Sequence, residues 1–143
     1  MKISRQVIKE LLLFCTTTQC ETGGILGFSK SVIDHVIFDV GLKIQKCSYA
    51  PDVDYLNSSI AKWSEKGISF AGVYHTHFFG IETLSHGDIE YIKEILSAMP
   101  EEITRLYFPI VLPEYQRIVV YIAEKTINSI SIHKDEIMII DEN

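Results

Sequence analysis

The sequence predicts an α+β domain, a mixed α/β/α sandwich built around a mostly antiparallel sheet. Three observations carry that reading. Three segments with helical spacing are separated by β-like runs rather than clustered at one end. The C-terminal third reads as consecutive strands joined by short turns, the pattern of antiparallel pairing. The chain has 143 residues, 47% hydrophobic and 22% charged, which is enough for one well-filled core and excludes a disordered or fibrous chain.

In chain order, Ser4 is placed to cap a first helix in which Val7, Ile8, Leu11, Leu12 and Cys15 recur at helical spacing. The three threonines at 16–18 favour its end. Gly23-Gly24 opens a short strand, Ile25 to Phe28. A second strand spans Val32 to Val40, with apolar residues at Val36, Phe38 and Val40. Gly41 and the polar stretch at Lys46-Cys47-Ser48 lead to a turn at Pro51-Asp52. A second helix is expected from Val53 to Glu65, with Tyr55, Leu56, Ile60 and Trp63 facing inward and Gly67 in the left-handed position that ends it. Ile68 to His77 reads as a strand. After a loop through Leu84, a third helix runs from Ser85 to near Pro100, burying Ile89, Ile92, Ile95, Leu96 and Met99. Arg105–Leu112, Arg117–Ala123 and Ser129–Ile140, the last interrupted at Lys134-Asp135, complete the sheet, with Pro113-Glu114-Tyr115 as a hairpin turn.

Composition narrows the function. The net charge of −6 disfavours binding to phosphate backbones, so nucleic acid is not an expected partner. The apolar run Leu11 to Cys15 is too short for a signal sequence and is preceded by Lys9 and Glu10. No run approaches the roughly 20 residues of a membrane span. Three cysteines without a Cys-x-x-Cys pair argue against a disulfide framework or an all-cysteine zinc site. The expected setting is the reducing cytoplasm, with no membrane partner.

One segment carries chemistry: His75-Thr76-His77, seven residues, Ser85, two residues, Asp88. Residues two apart on a strand share a face, so the two imidazoles point the same way, with Ala71 and Val73 as small neighbours. Asp88 falls in the first turn of the third helix, at the edge of its apolar stripe, where a charge needs a partner. Two His and one Asp leave a tetrahedral metal with an open position, which is the catalytic arrangement of zinc. Simpler readings compete. His-x-His on a strand can be a satisfied pair, and Ser85 with Asp88 resembles a capping box. The capping role is compatible with a second one, since a serine at a helix N-terminus can also donate to a substrate oxyanion. A general base is still needed. From the residues alone any of the nineteen acids is open for that role. Glu21 is the candidate because it stands just before Gly23-Gly24-Ile25-Leu26-Gly27, where glycines allow close backbone approach.

These residues resemble the JAB/MPN/Mov34 metalloprotease family, whose JAMM signature is an upstream Glu with His-x-His-x7-Ser-x2-Asp. The matching residues are Glu21, His75, His77, Ser85 and Asp88. The order of elements from Ile3 to Glu124 agrees as well. The resemblance implies a single domain over residues 1–143 with a cytidine-deaminase-like α/β/α sandwich. It implies Zn²⁺ held by His75, His77 and Asp88, with Glu21 and Ser85 as catalytic residues. The implied activity is that of an isopeptidase acting on a ubiquitin-like modifier with an extended, glycine-terminated tail. The enzyme would remove the modifier from a lysine or mature its precursor, in the setting of a bacterial ubiquitin-like conjugation system of antiphage defence. Release of a sulfur-carrier tail and a non-catalytic binding scaffold are the alternatives. The chain departs from the family pattern at Phe78 and Leu84, where proline is common, and at Gly27, which falls one residue early. Those departures bear on loop shape and substrate fit rather than on zinc chemistry. Phe78 and Phe79 stand beside the ligands, either as an apolar wall over the tail or as ordinary loop packing.

Overall fold

The computed structural model describes residues 1–16, 20–42 and 49–141. Its centre is an eight-stranded sheet formed by β1 (Lys2–Ser4), β2 (Gly23–Phe28), β3 (Ile33–Asp39), β4 (Ser69–Thr76), β5 (Arg105–Leu112), β6 (Arg117–Lys125), β7 (Ile130–Asp135) and β8 (Met138–Ile140). The strands lie in the order β7-β6-β5-β4-β2-β3-β1-β8. Pairing is antiparallel for β2 with β3 and β4, and for β6 with β5 and β7. It is parallel for β4 with β5, and for β1 with β3 and β8. This is the mixed, mostly antiparallel sandwich that the sequence predicts.

Helices cover both faces. On one face α1 (Arg5–Thr16) packs Val7, Leu11 and Cys15 against Leu26, Ile33, Tyr74 and Val111. Ser4 Oγ accepts the Val7 N–H at 3.2 Å and caps the helix. The other face carries α2 (Val53–Glu65) and α3 (His86–Ala98), whose Leu56, Trp63, Ile92 and Leu96 pack against Ile25, Val73, Leu106 and Phe108. Asp52 caps α2 through the Tyr55 N–H, and Gly67 leaves it with φ +76°. Among the described residues no helix is long and apolar enough to cross a membrane.

Several expectations need adjustment. The strand β1 has three residues, too few to show a period, and only its pairing with β3 and β8 defines it. Tyr55 is exposed, and Ser59 takes the inward place with its hydroxyl on the Tyr55 carbonyl. The last strand pair breaks at 136–137 rather than at Lys134-Asp135. Val40 falls just past the end of β3 and is exposed. Pro113–Tyr115 forms a 3-10 turn, η1, between β5 and β6. Thr17 and Thr18 of the threonine run, and the stretch Lys46-Cys47-Ser48, lie outside the described residues. Cys20 is disulfide-bonded, against the expectation of reduced cysteines, while Cys15 is buried in the core beneath α1.

The facing of β4 is the adjustment that reaches the site. Opposite β2 the register runs Leu26 with Gly72 and then Gly27 with Phe70, which leaves Ala71 as an extra residue. The alternation shifts there. Ala71 packs on the α1 face, whereas Phe70 and Val73 pack with α2 and α3. The small neighbours expected beneath the histidines are therefore reduced to Val73.

Candidate metal centre

The end of β4 sets the two histidines. Gly23 of β2 pairs with His75 of β4, and the His77 N–H continues the parallel ladder onto the Val111 carbonyl at 3.0 Å. His75 is fixed from the β2 side and His77 from the β5 side. Between them, Thr76 turns inward, where its hydroxyl accepts the Thr22 N–H at 2.9 Å. The residue after Glu21 is thus pinned to the residue between the histidines, which holds the Glu21 segment beside the strand end. Gly23 is required at the next step. A Cβ there would lie 2.4 Å from the Tyr49 ring and 2.8 Å from the Tyr74 carbonyl.

Asp88 arrives from α3. Ser85 is its N-cap, with the hydroxyl accepting the Asp88 N–H at 3.0 Å while the Ser85 N–H donates to Asp88 Oδ2 at 2.9 Å. This reciprocal pair is a complete capping box. It also aims the carboxylate. Asp88 Oδ1 lies 3.5 Å from His75 Nε2, Asp88 Oδ2 lies 3.3 Å from His77 Nε2, and the two Nε2 atoms are 2.8 Å apart. One ligand atom from each residue falls within 4.8 Å of the others. Tetrahedral zinc with bonds near 2.0–2.1 Å has donor–donor edges of about 3.3 Å. Two imidazole nitrogens and a carboxylate oxygen at these separations fit that ion.

The surroundings favour the same use. His77 Nδ1 lies 3.0 Å from the Ile81 carbonyl, a contact that orients the ring and turns Nε2 toward Asp88 and the candidate metal position. Burial works against the charge of Asp88. The hydrogen bonds from His75, His77 and the Ser85 N–H outweigh it and hold the carboxyl well below the usual carboxylate range. Hydrogen bonding to Asp88 raises the His77 pKa against its burial, with the Ile81 carbonyl and the charges of Asp88 and Glu21 adding to the rise.

Glu21, His75, His77, Ser85 and Asp88 line one cavity of about 890 Å³. The first and last of these are 67 residues apart in sequence. No protein-family model matches the chain, and no curated protein matches it. Solved structures do. Protein DSY2949 from Desulfitobacterium hafniense superposes with a TM-score of 0.67 at 16% identity, covering 99% of this chain and 93% of its own. AF2198 from Archaeoglobus fulgidus, a JAB1/MPN domain protein, superposes with a TM-score of 0.56 at 20% identity, covering 98% and 97%. The fold is that of a JAB1/MPN domain. At such identities the likeness establishes architecture, and the chemistry of this MPN fold rests on its own residues.

Other contributors escape sequence reading. The Ile81 carbonyl is backbone and has no residue signature. Asp39 is almost fully buried and accepts from the Gly41 N–H, the Tyr49 hydroxyl and the Asp52 N–H, tying the Tyr49 wall of the cavity to the start of α2. The loop after His77 is anchored by residues more than thirty positions away. The Tyr121 hydroxyl donates to the Glu82 carbonyl at 3.0 Å, and Arg117 pairs with the Glu82 carboxylate at 2.6 Å.

Proposed function

We propose that this MPN-fold chain is a zinc-dependent isopeptidase that cuts after the glycine-terminated tail of a ubiquitin-like modifier, freeing it from a lysine or maturing its precursor. The observation that carries the reading is the convergence of the His75, His77 and Asp88 donor atoms in the cavity that Glu21 and Ser85 also line. Bound there, zinc would supply Lewis acidity toward a carbonyl and toward water.

The chain's own groups perform the rest. Glu21 takes a proton from the attacking water as its oxygen bonds to the scissile carbonyl carbon. Ser85 keeps a free hydroxyl proton, because its oxygen is the acceptor for the Asp88 N–H, and donates that proton in a hydrogen bond to the developing oxyanion. As the C–N bond breaks, Glu21 returns its proton to the leaving amine, and the products are a carboxylate and a free lysine or peptide amine. An extended, glycine-terminated tail is slender enough to reach the donor atoms through the cavity.

The test is incubation of zinc-loaded protein with a ubiquitin-like protein joined through its C-terminal glycine to a lysine ε-amine. Cleavage at that bond, abolished by metal removal and restored by zinc, supports the proposal. Intact substrate after prolonged incubation with fully loaded protein overturns it.

A further inference from the structure

Phe79 holds a left-handed backbone, with φ 59°, and its side chain is 86% exposed at the rim of the candidate site. A residue bearing a Cβ rarely accepts that conformation, and Gly80 stands next to it with φ +68°. Folding gives no reason to hold a phenyl ring in water on a strained backbone. Strain of this kind persists where surrounding structure over-determines it, and the surroundings here are explicit. Glu114, on η1, accepts the Phe79 N–H at 2.5 Å, and a Cβ on Gly80 would lie 3.0 Å from the Tyr115 ring. The next residue, Ile81, supplies the carbonyl that fixes His77 and leaves its own side chain half exposed, as Tyr115 does. One short turn between β5 and β6 therefore shapes the loop that both orients a candidate metal ligand and lifts an aromatic ring over the cavity.

We infer that Phe79 is a specificity-determining residue that packs on an apolar side chain of the substrate tail near the scissile bond, and that Glu114 is the positioning residue that holds Phe79 there. The inference rests on the isopeptidase reading for its substrate class and adds the requirement for an apolar residue. Phe79 and Ile81 form the exposed rim, and Phe78 and Phe108 line the cavity beneath. A tail of small residues alone would leave this surface wet.

The experiment uses zinc-loaded Glu21→Gln protein and a set of fluorescent isopeptides. Each ends in glycine joined to a lysine ε-amine and carries Leu at one of the four preceding positions and Ala at the others. One Leu position should tighten binding by about tenfold or more over the all-Ala peptide. Adding Phe79→Gly should remove that gain while the melting temperature stays at or above the parent value, since glycine accepts φ 59° without strain. Glu114→Ala should lose the gain, and Glu114→Gln, which keeps an acceptor, should retain most of it.

Equal affinities across the set, or no binding at all, overturn the inference. So does a Phe79→Gly protein that melts more than about 5 °C lower, which would make Phe79 a packing residue. A gain unchanged in Glu114→Ala removes Glu114 from the role. Parallel cleavage assays with the parent protein separate the two readings. Cleavage without a Leu preference leaves the isopeptidase standing and the inference lost, whereas a Phe79-dependent preference without cleavage does the reverse.

Discussion

The Asp88 oxygen that faces His77 at 3.3 Å is the same atom that accepts the Ser85 N–H at 2.9 Å. The capping box of α3 and the third candidate metal donor thus share one carboxylate. The helix that buries Ile92 and Leu96 also fixes the carboxylate, so the ligand geometry inherits the rigidity of the core.

Metal content is the first consequence. The purified protein should carry about one zinc per chain. His77→Ala and Asp88→Ala should each empty the site, with the far-ultraviolet dichroism unchanged, because two apolar clusters hold the fold independently of the ligands. Asp88→Ala should also melt lower through loss of its half of the capping box, whereas His77→Ala leaves the box intact. Elemental analysis and melting curves separate these effects. Full zinc in either variant would refute the ligand assignment.

Proton competition gives the second. Metal binding requires a neutral His77 imidazole, and Asp88 raises the pKa of that ring above the ordinary 6.5. In the metal-free protein this group contributes stability that is fully present below the unfolded value and is lost as pH rises through the folded one. Zinc binding runs the other way, weakening as pH falls through the raised value. The difference in melting temperature between zinc-loaded and metal-free protein should therefore shrink between about pH 8 and about pH 6. In His77→Ala it should be near zero throughout. A constant difference in the parent protein would contradict the coupling of His77 to the metal.

Glu21→Gln keeps the size and hydrogen-bonding capacity of the side chain and removes the proton acceptor. Zinc content and substrate affinity should persist, while turnover falls by about 10²–10⁴-fold. Activity within a few-fold of the parent protein would assign the base elsewhere.

What the sequence showed and what it hid divide along physical lines. The spacing of His75, His77 and Asp88 is local, and strand and helix periods turn it directly into a shared site. Val53–Glu65 matches α2 in full because a capping Asp52 and a terminal Gly67 bracket a periodic run. Asp39, Glu114 and Tyr121 were not legible. Each acts through tertiary contacts with segments its own neighbourhood does not encode. The bulge at Ala71 was hidden for a related reason. It is a mismatch between two strands, β2 and β4, and neither strand alone records it. Phe79 carried one usable signal, the following Gly80, which marks a turn without telling which residue takes the left-handed conformation.

Ser85→Ala separates capping from catalysis within a single side chain. As a cap, the hydroxyl oxygen accepts the Asp88 N–H, and its loss costs about 1 kcal/mol. For a chain of this length that is a drop of about 2–4 °C in melting temperature. As an oxyanion donor, the hydroxyl proton acts only in the transition state, where its loss costs about 2.7–4 kcal/mol and lowers turnover by about 10²–10³-fold. The two penalties fall on different measurements, so one variant tests both roles. The reciprocal bond from the Ser85 N–H to Asp88 is backbone and survives the substitution, which keeps the carboxylate aimed. Zinc content should therefore stay at the parent level, and the comparison should be made at equal loading. The expected result is a small fall in melting temperature with a KM close to that of the parent and a turnover at least about 10²-fold lower. A variant that melts lower yet cleaves the conjugate at the parental rate would leave Ser85 as a helix cap alone. The oxyanion would then need another donor from the residues that line the cavity.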